Sequence, residues 1–289
     1  MANTIVLKRR IGSIKSTKQI TKAMELVSAS KMRRAQERAL KSREYQSLAY
    51  SLLARLSSFE EAAIHPLFEK RKVKSKLYIL VTSNSTLAGA YNSNVEKLLT
   101  RSILDNESQS IKSSVIAIGN QGAHYVRRLQ GINLVAVYPA FGDQPTESDI
   151  KPVLNTILEK YKSSEVDEVE IVYTVYKSNL VQIATELSVL PAKFEGDVKS
   201  EKHDFTNFEP SVDVVLDSVT TRLIEVQLWQ ALLESLASEH SMRMLAMKNA
   251  TDNASDIIDD LTLEFNTARQ ASITQELAEI TGGAEALKD

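Results

Sequence analysis

The chain has no cysteine, which excludes disulfides, zinc–thiolate sites, thiol nucleophiles and cysteine redox control. Glycine and proline are scarce, nine and six in 289 residues, and aromatics are few, with one Trp, seven Phe and nine Tyr. A chain short of turn-formers and core-filling rings predicts much helix and little compact β structure. No apolar run approaches the roughly 18 residues that a membrane-crossing helix needs. Lys8, Arg9 and Arg10 have no hydrophobic stretch behind them, so the start does not read as a secretory signal. The default compartment is the cytoplasm, and a transit peptide is not expected because the opening helix itself reads as functional. His65, His124, His203 and His240 are scattered without ligand spacing, so neither a metal nor a cofactor is expected.

What is present is unevenly distributed. The formal net charge is only −2, yet the first 43 residues carry Lys8, Arg9, Arg10, Lys15, Lys18, Lys22, Lys31, Arg33, Arg34, Arg38, Lys41 and Arg43 against Glu25 and Glu37. From Thr251 onward the balance reverses, with Asp252, Asp256, Asp259, Asp260, Glu264, Glu276, Glu279, Glu285 and Asp289 opposed by Arg269 and Lys288. One end is basic and the other acidic.

Residues 4–59 contain one glycine, Gly12, and no proline, and are rich in helix formers. Ile11 and Ile14, then Ile20, Met24 and Val27, then Leu48, Leu52 and Leu56 recur at helical spacing. This predicts one long helix, its apolar stripe interrupted by Lys15, Lys18, Thr21, Lys22 and Lys31. Residues 211–280 lack glycine and proline altogether. Val219, Leu223, Val226, Leu233, Leu236, Met244, Met247, Ala254, Ile258, Leu261, Phe265 and Ala268 sustain helical periodicity there, between Pro210 and the Gly282–Gly283 pair.

Between the two helices the pattern changes. Short Val-, Ile- and Tyr-rich runs at 77–82, 114–118, 134–137 and 169–175 alternate with helical stretches at 92–104, 121–130 and 147–162. That alternation predicts an α/β domain with a mostly parallel, Rossmann-like sheet. A fifth strand is expected over 180–190, and 196–210 reads as a loop. The expected division is an N-terminal helix over 1–59, a central α/β domain over 60–210 and a C-terminal helix over 211–289. A helix of about 70 residues is on the order of 105 Å long. A compact domain of roughly 150 residues is about 40 Å across. The terminal helices therefore most economically bury their stripes against each other as a long antiparallel coiled coil, with opposite charge assisting.

Several residues invite a functional reading beside a plain one. Lys15, Lys18, Lys22, Lys31, Arg33 and Arg34 make a solvated helix face or a surface for an acidic partner. Arg243, among methionines, reads by itself as an arginine laying its stem along apolar surface. Arg269, Gln270 and Thr274 read by themselves as exposed polar helix surface. The loop "VTSNSTLAGAYNSN" follows the first strand but has neither a Walker pattern nor Gly-x-Gly-x-x-Gly, so nucleotide binding is weakly signalled.

The stretches "IGSIKSTKQITKAMELVSASKMRRAQ" and "RMLAMKNATDNASDIIDDLTLEFNTARQASITQELAEITGGAEAL", with the order of elements between them, resemble the gamma subunit family of bacterial F-type ATP synthases over essentially the whole chain. The resemblance implies a non-catalytic central rotor shaft, with the alpha3–beta3 hexamer, the epsilon subunit and the membrane c-ring as partners and the cytoplasmic face of the plasma membrane as location. It implies beta-subunit contacts at Lys18, Lys22, Met24, Arg33, Arg34, Arg243, Arg269, Gln270, Thr274, Glu276 and Glu279. Met24 matches the position where an added positive charge impairs coupling; Arg269, Gln270 and Thr274 match the catch on a beta-subunit loop. Phe208 and Glu209, in "FTNFEP", match the foot on the ring. The family usually carries Asp-Arg-Gly where this chain has Asn84, Ser85 and Thr86, which puts contacts of that triplet in doubt. The chloroplast cysteine insertion is absent. Two rival readings are a basic coiled-coil nucleic-acid binder, without a reader motif and with a repelling acidic end, and an α/β enzyme acting on a phosphorylated substrate.

Overall fold

The computed structural model describes residues 2–56, 65–69, 71–142, 145–192 and 212–286. The elements are α1 (Ala2–Leu56), β1 (Ser75–Val81), α2 (Tyr91–Ser108), β2 (Lys112–Ile118), α3 (Asn120–Val126), β3 (Asn133–Tyr138), α4 (Glu147–Lys162), β4 (Glu168–Tyr176), β5 (Gln182–Leu190) and α5 (Val212–Ala286). They divide into two units, Met1–Ser28 with Arg243–Asp289, and Ala29–Met242.

The larger unit is built on a five-stranded sheet of order β3-β2-β1-β4-β5. β1 pairs parallel with β2 and β4, and β2 parallel with β3, while β5 runs antiparallel to β4. The strand–helix–strand crossovers place helices on both faces, which is why β1 is apolar at consecutive positions and not alternating. Leu77, Ile79 and Val81 join Ile150, Val153, Ile157, Leu223, Ile224 and Leu228 of α4 and α5. Tyr78 and Leu80, on the other face, join Val95, Leu99 and Ile103 of α2 and Val126 of α3. Burial holds the Tyr78 hydroxyl protonated up to about 12, against an ordinary 10.0. Asn106 donates to it at 2.7 Å. Lys76 lies 2.8 Å from Glu168 and 3.3 Å from Glu170. Burial alone would lower the Lys76 pKa, but the Glu168 hydrogen bond and the two carboxylate charges leave it raised.

The carboxyl ends of β1 and β2 are tied by Thr82, whose hydroxyl donates to the Ile118 carbonyl and accepts from the Gly122 N–H, each at 2.9 Å. That close approach requires glycine at 119, where φ is +99° and a Cβ would stand 2.3 Å from the Thr82 carbonyl oxygen. Asn84 follows immediately. Its amide donates to the Ala140 carbonyl at 2.9 Å, and its oxygen accepts from the Ala140 N–H at 2.9 Å and the Asn120 N–H at 3.3 Å. A carboxylate could accept these N–H groups but could not donate to the Ala140 carbonyl. The local hydrogen-bond pattern at position 84 thus needs an amide.

α4 begins at a capping box, with Asp149 accepting from the Thr146 N–H at 2.8 Å and lying 3.0 Å from its hydroxyl. α3 is shorter than expected, ending at Val126, because 127–130 continue as turns. β5 begins at Gln182 because the Ser178 hydroxyl accepts from the N–H groups of Leu180 and Val181, which makes these residues the hairpin turn.

In this unit α5 is buried at nearly every position from 223 to 241. Three of its serines are bonded inward: Ser235 to Tyr91 at 2.6 Å, Ser238 to the Thr174 carbonyl at 3.2 Å, and Ser241 to the Asn179 carbonyl at 3.0 Å. Met32, Ala35 and Ala39 form the buried stripe of α1 here. Gln36 reaches Tyr176 and, at 3.3 Å, Asn179 of the β4–β5 hairpin.

Candidate partner-binding surface of the paired helices

The smaller unit consists of two helical segments and nothing else. On α1 the half-buried or buried positions are Thr4, Leu7, Ile11, Ile14, Lys18, Thr21, Glu25 and Ser28, joined at the last turns by Met24. On α5 they include Met244, Met247, Thr251, Ala254, Ile258, Leu261, Phe265, Ala268 and Ser272. Both sets step alternately by three and four, the 3.5-residue period of a left-handed coiled coil. Thr251 donates to Thr21 at 2.8 Å, with its oxygen 2.8 Å from the Met247 carbonyl. Antiparallel pairing from that contact sets Leu7 beside Phe265, Ile11 beside Leu261, Ile14 beside Ile258 and Lys18 beside Ala254. It also explains why burial on α5 ceases after Ser272, where α1 runs out in this register.

The seam differs from the apolar stripe expected on α1. Ile20 and Val27 are 61% and 53% exposed, while Lys18, Thr21, Glu25 and Ser28 occupy seam positions. A strict three-four count from Leu7 gives the correct face; grouping apolar residues by local spacing does not. The upper end of the seam is apolar and the lower end polar.

The sequence-predicted contact residues fall into distinct settings. Lys22 is exposed and pairs along its own helix with Glu25 at 3.0 Å. Lys18 and Met24 are half-buried at the seam edge. Arg243 is buried, 8% exposed. Arg269 and Gln270 lie exposed on the outer face of α5 beside the last seam positions, and Thr274, Glu276 and Glu279 lie exposed beyond them. There the Thr274 hydroxyl is satisfied by the Gln270 carbonyl at 3.0 Å, and Glu279 accepts from Gln275 at 2.9 Å. Arg33 and Arg34 are exposed but belong to the larger unit. Phe208 and Glu209, with the whole of the expected loop 196–210, lie outside the described residues. Sequence reading missed two exposed apolar residues of α5, Leu263 at 71% and Leu277 at 59%; Ile280, in the tip stretch "AEITGGAEAL" that reads from the sequence as small and apolar, is 68% exposed. Their positions off the three-four count are the signal that locates them.

The α2–α3 side of the sheet holds a cleft of about 690 Å³ lined in part by Glu96, His124, Arg127 and Arg128. Burial raises the Glu96 pKa, and the Arg128 charge opposes that shift. Among the described residues no cluster of three or more His, Asp or Glu is arranged to hold a metal. No helix among them is long and apolar enough to cross a membrane.

The family model for ATP synthase matches residues 3–287. The ATP synthase gamma chain of Herpetosiphon aurantiacus is 42% identical, with 99% of each chain covered. That of Pelotomaculum thermopropionicum is also 42% identical, with 98% of each covered. The chain belongs to the ATP synthase gamma chain family. The rotor of the Euglena gracilis mitochondrial ATP synthase shares the fold at a TM-score of 0.67 and 18% identity, covering 94% of this chain and 99% of that one. A chain of the Tetrahymena thermophila mitochondrial central stalk and c-ring structure does so at 0.62 and 22%, covering 80% and 99%. The gamma chain family gives the exposed end of α5 a context, since its apolar residues there have no partner within the seam.

Proposed function

We propose that the chain is the central rotor shaft of a proton-translocating F-type ATP synthase, coupling ring rotation to conformational cycling of the catalytic beta subunits. It is a non-catalytic subunit, and its partners are the alpha3–beta3 hexamer, the epsilon subunit and the c-ring. The complex is membrane-associated; its place on the cytoplasmic face of a bacterial plasma membrane is part of the proposal. The observation that carries the reading is 42% identity to gamma chains along essentially the full length. Residues 273–283 of α5 support it: they are exposed, yet include Ile273, Leu277 and Ile280. Apolar side chains left in water over about two helical turns indicate a sleeve around them.

The shaft works through linkage. Its asymmetric surface meets three beta subunits differently at any angle, so nucleotide affinity at each depends on the angle, and the angle in turn on nucleotide. Lys18, Lys22, Met24, Arg33, Arg34 and Arg243 serve one zone of contact, and Arg269, Gln270, Thr274, Glu276 and Glu279 a second nearer the tip. Phe208 and Glu209 form the foot on the ring. Functionally the chain divides into the shaft helices 1–59 and 211–289 and the α/β domain 60–210. Exposed ion pairs are individually weak, so the basic face acts by the sum of several passing contacts.

The test is removal of residues 273–289 in the assembled enzyme, followed by single-molecule rotation and ATP-driven proton pumping. The hexamer is expected to assemble, with lowered torque and coupling. Unchanged coupling after both this deletion and charge removal at Lys18, Lys22, Arg33 and Arg34 sinks the contact assignment. Steep salt-dependent DNA binding by the full chain would favour the nucleic-acid rival instead.

A further inference from the structure

In the larger unit, α1, α4 and α5 enclose a cleft of about 320 Å³, lined in part by Arg38, Lys41, Ile150, Arg222, Glu225 and Trp229. This volume lies at the lower end of the range for small-molecule sites. Its floor is apolar: Ile150, Val226 and Leu233 are buried, and Trp229 packs against the main core cluster while keeping part of its ring accessible.

The charges at its rim do not cancel. Arg222 engages both acids, Glu147 at 3.0 Å and Glu225 at 2.6 Å. That leaves Arg38 and Lys41 without an ion-pair partner among the described residues. Two buried polar atoms are also unmet: Nη1 of Arg38, a donor, and Oε1 of Glu225, an acceptor on a residue only 8% exposed. Buried polar groups without partners are rare in folded proteins and point to something that completes them. The missing complement here is one anionic acceptor and one donor, borne on a flat apolar body that can lie against an indole.

We propose that this cleft is a binding site for a small aromatic carboxylate carrying a hydroxyl or amine donor. The carboxylate sits on Arg38 and Lys41, the ring against Trp229, and the donor on Oε1 of Glu225. Such a ligand would brace α1 against α4 and α5. A water bridging Arg38 and Glu225 is the competing explanation, and it predicts no affinity for the ring.

The test uses the full chain titrated with 6-hydroxy-2-naphthoate, with 2-naphthoate lacking the donor and 2-naphthol lacking the anion as comparisons. Trp229 is the only tryptophan in the sequence, so its emission reports on this cleft alone, and calorimetry gives the affinity independently. Saturable binding with Kd at or below about 1 mM is expected, with quenching of Trp229 and a rise in Tm through linkage. 2-Naphthol should bind at least tenfold more weakly, and 2-naphthoate several-fold more weakly. Arg38→Met and Lys41→Met keep the apolar stems and should each weaken both carboxylates while leaving 2-naphthol unchanged. Lys41 is exposed, so its variant remains informative if the Arg38 variant misfolds. No quenching or heat up to about 5 mM, or binding indifferent to both substitutions, overturns the site and leaves a water-filled groove. Equal affinity for the two naphthoates overturns the Glu225 contact.

Discussion

Two stretches of the same helix, α5, break the usual rule of burial in opposite directions. Between 223 and 241 it buries Glu225, Gln227, Gln230, Glu234, Glu239 and His240. Beyond Thr262 it exposes Leu263, Ile273, Leu277 and Ile280. Helix propensity does not separate them, since neither 223–241 nor 263–280 contains glycine or proline. What differs is the packing surface. In the larger unit a sheet and a second helix cover this stretch, Gln230 donates to Glu234 at 2.8 Å, and the neighbouring Ser235, Ser238 and Ser241 bond inward to Tyr91, Thr174 and Asn179. In the smaller unit one helix supplies one seam, and the remaining faces are left for other chains. The contrast separates a part stabilised by its own contacts from a part shaped for contacts with others.

The harshest test of the self-stabilised part is Gly119→Ala. The new Cβ would meet the Thr82 carbonyl at 2.3 Å in a backbone conformation that alanine resists. A loss of about 4 kcal/mol is expected by denaturant melting, with failure to express as the extreme. A loss under about 1 kcal/mol would mean that the β1–β2 carboxyl ends have slack. Next come two leucines in parallel. Leu228→Ala, in the main core, should cost about 3–4 kcal/mol of global stability. Leu7→Ala, 2% exposed at the seam, should cost about 2 kcal/mol. Hydrogen exchange should place the Leu7 effect in the smaller unit, while Leu228→Ala raises exchange throughout the sheet. Equal spread of both effects would dissolve the distinction between the regions.

Tyr78 offers a pH-resolved version of the same comparison. With its pKa raised to about 12, the folded state keeps a proton that the unfolded chain releases above 10.0. The associated stability is present below pH 10 and is lost as pH climbs through 12, a swing of roughly 2–3 kcal/mol. Tyr78→Phe should flatten that part of the alkaline profile and lose about 1 kcal/mol at neutral pH with the Asn106 hydrogen bond. An unchanged alkaline slope in the variant would mean the burial of that ring has been misjudged.

Much of this was legible from residue order alone. The β-rich runs, the helices between them and the two long terminal helices follow from apolar period and from where glycine and proline are missing. The antiparallel edge strand was not legible as such, because its direction is set by a hairpin turn built on one serine hydroxyl. The polar half of the seam escaped because apolar clustering points to Ile20 and Val27, whereas register points to Thr21 and Ser28. The meaning of Asn84 was hidden too, since its partners are 56 residues downstream at Ala140. Asn84→Asp keeps the acceptor but removes the donor facing the Ala140 carbonyl. It should cost about 1–2 kcal/mol. A neutral outcome would show that the loop simply re-pairs.

The smallest expected effect is the most telling for the seam. Thr251 donates to Thr21 and lies within hydrogen-bond distance of the Met247 carbonyl. Thr251→Val removes one hydroxyl, leaves Thr21 near the Lys18 carbonyl at 3.0 Å, and adds a methyl to a buried position. The lost hydrogen bond and the gained apolar contact nearly cancel, so stability should change by less than about 1 kcal/mol. A polar pair at a seam position fixes alignment more than it adds stability. The Thr21→Val, Thr251→Val double variant should therefore melt close to the parent. Disulfide trapping between cysteines placed at 14 and 258 should nevertheless fall in yield, as neighbouring registers one heptad away become accessible. If yield stays at the parental level, the apolar pairs Ile14–Ile258 and Leu7–Phe265 set the alignment alone, and the polar half of the seam is retained for what it presents outward.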